Sequence, residues 1–236
     1  VSRTSFVLAG AAVAAVHVVP AVTWLPIVRR ALPGLAGVGS GDHVALTFDD
    51  GPDPRSTPLF LDELRRLGCS ATFFVLGEML ELDPALGRRL VAEGHEVAVH
   101  GWRHDNALTV RPGRSATEIR RTADLITAVT GVEPTWYRPP YGVLSAETLV
   151  QARRCGLRPV LWSAWGRDWT ASATASSVMA ALEPDLRGGA AVLLHDSDHT
   201  SAPDSWRSAL AALPELVDRC RAARLRIGAL REHEVS

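Results

Sequence analysis

The sequence predicts a single α/β domain built on a parallel sheet, and three observations carry that expectation. From His43 onward, short apolar runs rich in Val, Leu, Phe and Trp alternate with longer helical stretches, the pattern of repeated strand–helix units. Seven such runs occur, enough for a closed barrel or an open doubly wound sheet, and periodicity does not choose between the two. Polar residues gather just after the carboxyl ends of these runs, where both architectures place their ligands. A length of 236 residues suits one large domain.

Residues 1–31 are almost uncharged, with no formal charge between Arg3 and Arg29. Residues 6–28, FVLAGAAVAAVHVVPAVTWLPIV, approach the length of a bilayer span, although His17, Pro20 and Pro26 interrupt the run. Ala12-Val13-Ala14 resembles a small-residue cleavage site, so this segment is expected to be a membrane anchor or export signal; a helix packed on the domain is the alternative. A Gly-rich linker is expected over 32–42, followed by the main domain at 43–231.

Within that domain the apolar runs place strands at His43–Asp49, Ala71–Gly77, Glu96–His100, Trp136–Pro139, Pro159–Trp165, Ala190–His195 and Leu225–Ala229. Helices fit between them at Thr57–Leu67, Pro84–Glu93, Ser115–Thr130, Ala146–Cys155, Ser176–Leu182 and Ser205–Ala223. Asp83-Pro84 is a cap followed by a first helical position, and Gly68, Gly94, Gly131 and Gly156 stand just past helix ends.

Composition removes several kinds of function. With 47% hydrophobic and 22% charged residues and a net charge of −1, the chain is a globular core former with no electrostatic basis for binding nucleic acid. All 25 basic residues are Arg, which excludes a Schiff-base lysine, a phosphate-loop lysine and a Ser-x-x-Lys pair. Cys69, Cys155 and Cys220 are odd in number and lack a C-x-x-C pair, so they read as core thiols, with a Cys69–Cys155 bridge open only to an exported domain.

The expected strand ends carry Asp49-Asp50, His100 and His104, Arg138 with Tyr141, Asp168-Trp169, and His195. Two adjacent carboxylates repel, so Asp49-Asp50 after an apolar strand calls for a cation or for one raised pKa, or else marks an Asp-Gly-Pro turn. Strand pleating sends successive side chains to opposite faces, while a loop that begins at Asp50 can turn its carboxylate toward His100 and His104. Two His four apart can reach one metal, but His195 and His199 form a second such pair. Asp50 with either pair would make a two-His, one-carboxylate site of the hydrolytic Zn²⁺ or non-haem Fe(II) type. Arg138, if buried beside Asp49, would hold that carboxylate ionised and oriented. Trp102, Tyr141, Trp165 and Trp169 suit either the core or a sugar-binding rim, and Asp196, Asp198 and His199 read mainly as loop polarity.

In order, TFDDGP at 47–52, HGWRH at 100–104, RPPYG at 138–142, RDW at 167–169 and LLHD at 193–196 resemble the five motifs of the polysaccharide deacetylase family, carbohydrate esterase family 4. The resemblance covers about residues 43–230. It implies a distorted seven-stranded (β/α) barrel that removes N-acetyl groups from N-acetylhexosamine units of a chitin-like or cell-wall glycan, with zinc as the usual metal. It further implies Asp50, His100 and His104 as metal ligands and Asp49 as general base. Arg138 would orient that base, His195 would be the general acid and Asp168 the carboxylate that tunes a catalytic partner. Tyr141, Trp169 and Leu193 would contact substrate, Tyr141 through its backbone N–H. The fourth motif departs from the usual Asp-x-x-Asp-Trp, since Trp165 stands at its first position. An Fe(II) oxygenase on the same ligands and a carbohydrate-binding pseudoenzyme are the rival readings. A cell-wall substrate would place the domain outside the cytoplasmic membrane.

Overall fold

The computed structural model describes residues 16–235. The proposed cleavage site at 12–14 and the first ten residues of the apolar stretch 6–28 lie outside them. Every strand pair is parallel. β1 (His43–Asp49) is central, followed on one side by β2 (Thr72–Val75), β3 (Glu96–Val99), β4 (Trp136–Tyr137) and β5 (Arg158–Pro159). β7 (Ala191–His195) and then β6 (Ala164–Trp165) lie on the other side. β8 (Arg226–Gly228) joins the first half of β1, on the edge that β2 takes further along.

The run expected as one strand over Pro159–Trp165 is split. Its beginning bonds to β4 and its end to β7, with Val160 N–H donating to the Tyr137 carbonyl and Ser163 N–H to that of Ala191. One segment thus links the two edges of a curled sheet, and it must leave one ladder before it joins the other. This makes the sheet the distorted barrel that the motif resemblance implies. Residues 35–40 pack along the same seam: the Leu35 carbonyl accepts from Leu161 N–H, and Gly39 N–H donates to Gly189.

Strand parity sorts the core. Val44, Leu46 and Phe48 of β1, Phe73 and Val75 of β2, Val97 and Val99 of β3, and Val192 and Leu194 of β7 join one apolar cluster with the surrounding helices. The alternate positions Ala45, Phe74, Ala98, Trp136 and Ala191 form a second, smaller cluster inside the barrel. Three of these five are alanines, which leaves interior volume for larger side chains further along the same strands.

The helices follow the expected boundaries within one to two residues, the usual scatter at helix ends. Asp83 caps Pro84–Ala92 by accepting from Leu86 N–H, and Gly68 ends Thr57–Leu67 at φ 64°. A short helix at Gly77–Leu82 was not expected, because Gly77 reads as the end of a strand. The three cysteines are free. In the N-terminal apolar stretch, a 3₁₀ turn at Val19–Trp24 and a short helix at Pro26–Arg30 precede the barrel. No helix among the described residues is long and apolar enough to cross a membrane.

At the amino end of β1, buried His43 and His233 meet Nδ1 to Nδ1 at 2.9 Å. His233 Nε2 faces the Gly37 and Gly189 carbonyls at 3.0 and 3.2 Å and must carry its proton, so His43 Nδ1–H donates and both rings are neutral. Burial, aided by the adjacent His233, lowers the His43 pKa to about 4, against roughly 6.5 in the unfolded chain. Burial also brings His95 to about 4. The unfolded state takes up these protons first, so the contribution is complete above pH ~6.5 and is lost as pH falls toward 4. The wild type is therefore expected to lose more melting temperature than His43→Gln between pH 6.5 and 4.5. Identical pH profiles for the two proteins would remove the histidine pair as the cause.

Candidate active site

Parity also selects the polar residues that enter the barrel. Thr47 and Asp49 continue the inward series of Ala45, His100 that of Ala98, Arg138 that of Trp136, and Leu193 and His195 that of Ala191. Asp50 should then point outward, but its left-handed backbone (φ 78°) turns it back. Gly51 follows with no room for a side chain, because a Cβ there would collide with the Asp196 carboxylate.

Arg138 is fully buried. Its Nη1 donates to Asp49 Oδ1 at 2.7 Å and to Thr47 Oγ1 at 2.8 Å, its Nη2 donates to the Leu161 carbonyl at 2.8 Å, and the guanidinium lies over Phe74. Asp49 is therefore held through Oδ1 by one guanidinium nitrogen, with its other oxygen 3.7 Å from His100 Nε2.

Asp50, His100 and His104 form the second part of the site. Their ligating atoms lie within 4.8 Å of one another. His100 Nδ1–H donates to the Arg138 carbonyl at 2.8 Å, which leaves Nε2 as a lone-pair donor 3.3 Å from Asp50 Oδ1; His104 Nε2 is 3.5 Å from the same oxygen. Asp50 Oδ1 is buried without a hydrogen bond, while Oδ2 accepts from Thr200 Oγ1 at 2.5 Å. Burial would raise the Asp50 pKa, yet the converging histidines hold it below the usual carboxylate range. Burial opposes charge on His100, but Asp49 and Asp50 outweigh it and raise its pKa; burial lowers His104 to about 4 and keeps it neutral. An orphaned anionic oxygen faced by two ring nitrogens is a donor set that a divalent cation fits.

His195 belongs to a third group rather than to this cluster. Its Nδ1 lies 2.8 Å from Asp168 Oδ1 and its backbone N–H donates to Asp168 Oδ2 at 2.7 Å, so one carboxylate grips ring and main chain together. Burial disfavours the imidazolium, but Asp168, followed by Asp50 and Asp49, prevails and raises the His195 pKa to about 10. His199 bonds Glu78 at 3.1 Å, and the described metal cluster draws on His100 and His104.

All three groups open into one cleft of about 440 Å³ at the carboxyl ends of the strands, walled by Tyr141, Trp162, Trp165, Trp169, Leu193 and Trp24. Trp165 and Trp169 stack at 4.6 Å, and the His104 and Tyr141 rings meet edge to face at 4.3 Å. Three participants escaped the sequence reading. Thr200 sits in a loop without motif, Trp162 lies inside the split strand, and Trp24 falls in the segment expected to leave the domain.

A family profile described as polysaccharide deacetylase matches residues 36–160. The chain is 37% identical over 206 residues to a chitooligosaccharide deacetylase of a Bradyrhizobium strain, covering 81% of this chain and 91% of that protein. It is 35% identical to a peptidoglycan-N-acetylglucosamine deacetylase of Listeria monocytogenes over 72% of this chain but 36% of that longer protein. Among solved structures, a peptidoglycan N-acetylglucosamine deacetylase superposes with a TM-score of 0.79 at 28% identity, covering 89% of this chain and 97% of its own. A family 4 carbohydrate esterase from Streptomyces lividans bound to acetate gives 0.72 at 29% identity, covering 84% and 98%.

Arg138→Met strands the buried Asp49 charge and is expected to cost about 3–5 kcal/mol of stability. Adding Asp49→Asn should recover part of that loss, which chemical denaturation of both single variants and the double variant would measure. Strictly additive losses would show that the two side chains do not act as a pair.

Proposed function

The chain belongs to the polysaccharide deacetylase family, and from that membership we propose which of its residues carry the reaction. The protein is a metal-dependent hydrolase that removes N-acetyl groups from N-acetylhexosamine units of a cell-wall or chitin-like glycan. Named deacetylases among its relatives set aside the oxygenase reading of the two-His, one-carboxylate cluster.

We assign Asp50, His100 and His104 as the metal ligands and zinc as the metal, because two imidazoles with one carboxylate suit zinc better than the all-oxygen preference of Mg²⁺ or Ca²⁺. A bound divalent metal would supply Lewis-acid polarisation of the acetyl carbonyl and a water of lowered pKa. Asp49 takes the proton of the attacking water, with Arg138 fixing which carboxylate oxygen is free for it. His195 has Nδ1 committed to Asp168, so Nε2 delivers a proton to the departing amine. The Tyr141 backbone N–H, on a left-handed turn (φ 59°) in the cleft, is assigned to the developing oxyanion. Leu193 and Trp169 bound the space for the acetyl group. The observation that carries this reading is the convergence in one cleft of a guanidinium-held carboxylate, a carboxylate-held imidazole and an orphaned metal-ligand set.

Acetate release from chitin oligomers and peptidoglycan, measured beside elemental analysis, tests the roles. The wild type is expected to hold about one zinc per chain. Asp49→Asn should keep its metal and lose ~10²–10⁴ in turnover, whereas Asp50→Ala should lose metal and activity together. Normal turnover in Asp49→Asn, or tight stoichiometric metal in Asp50→Ala, would refute the assignment.

We also assign action outside the cytoplasmic membrane, with residues 6–28 supplying the association. The support is the apolar composition of that stretch and the exposure of Val16, Val18, Val19 and Ile27 within it. Cell fractionation should find the chain at the membrane or outside the cell, and recovery only in the cytoplasm with an intact N-terminus would count against it.

A further inference from the structure

Trp24 comes from the 3₁₀ turn at Val19–Trp24, twelve residues ahead of the family-matched region that begins at residue 36, yet it lines the same cleft as Asp49, His100 and His195. Its surroundings hold it there. Arg29 Nη2 donates to the Trp24 carbonyl at 3.0 Å, and the same guanidinium lies 4.8 Å over the ring of Trp162 in the barrel seam. One side chain therefore ties the N-terminal turn to the cleft wall. Burial lowers the Arg29 pKa, in keeping with a guanidinium partly enclosed between the two. Thr23, beside Trp24, is buried and closes the turn by donating from Oγ1 to the Pro20 carbonyl at 2.7 Å.

Trp24 nevertheless remains 52% exposed, whereas Trp162, which lines the same cleft, is 5% exposed. A large half-exposed ring that lines a cleft already walled by the stacked Trp165 and Trp169 presents a flat apolar face without burying it in the core. The ligand such a face takes is one with flat C–H surfaces and polar edges, which is a pyranose ring. We infer that Trp24 forms a binding subsite for a sugar ring neighbouring the one that is deacetylated, and so makes this chain prefer longer glycans. The inference rests on the deacetylase reading for the nature of the ligand. Its placement in the cleft is independent of the metal and of the proton-transfer roles.

The test compares wild type, Trp24→Ala and Trp24→Phe on N-acetylglucosamine oligomers from the monosaccharide to the hexasaccharide. Acetate-release kinetics are read beside calorimetric binding of the same sugars. Trp24→Ala is expected to raise KM and weaken binding roughly tenfold for the hexasaccharide. Its effect should shrink as the oligomer shortens and be smallest for the monosaccharide, and Trp24→Phe should recover most of the loss. Unchanged hexasaccharide binding in Trp24→Ala, an equal loss at every chain length, or a fall in kcat alone would overturn the inference. If the wild type released no acetate from any sugar, the deacetylase reading would fail, while the chain-length dependence of binding would still decide the role of Trp24.

Discussion

The interior ion pair between Arg138 and Asp49 is the constraint around which the active end of this barrel is arranged. Taking a guanidinium and a carboxylate out of water costs several kcal/mol per ion, so each must find nearly all its partners inside. Arg138 finds Asp49, Thr47, the Leu161 carbonyl and the face of Phe74. These contacts join the ends of β1 and β4 to the seam segment 158–165, the place where the sheet must link its two edges. The alanines at 45, 98 and 191 make the arrangement sterically possible by leaving interior volume for larger side chains further along the same strands.

Two opposite solutions to the same problem stand side by side. An anion, Asp49, is oriented by a buried cation, and a basic ring, His195, is oriented by a buried anion, Asp168. Each leaves one atom uncommitted toward the cleft: the second Asp49 oxygen and His195 Nε2. A carboxylate and an imidazole thus share one cleft, each already paired behind with a buried partner of opposite sign. Between them, Asp50, His100 and His104 concentrate lone pairs that a metal ion would satisfy, with Thr200 holding the remaining Asp50 oxygen.

Access to this chemistry is shaped by elements of different origin. Tyr141 and Trp169 belong to the motifs, Trp162 and Trp165 lie in the seam segment, and Trp24 arrives from a segment whose composition alone suggests departure from the domain. A stretch such as 16–30 can supply both exposed valines and a cleft wall because its two short helices are separated at Leu25-Pro26, and neither is long enough to pursue a single fate.

Much of this was legible in the residues alone. Alternating apolar runs located the strands, since β-strand side chains repeat every two residues, and the same parity marks Thr47, Asp49, His100, Arg138 and His195 as facing one interior. Five ordered motifs identified the chemistry because catalytic groups in a parallel barrel must cluster at strand ends, and those ends are adjacent to turns that sequence can recognise. Tertiary structure alone decided that Pro159–Trp165 divides between two sheet edges, and that Thr200 and Trp24 reach the cleft. Those outcomes depend on left-handed turns such as Asp50 and on contacts between residues distant in the chain, such as Thr200 with Asp50. Local propensity has no access to either: it records what a residue prefers beside its neighbours in the chain, not which distant surface closes over it.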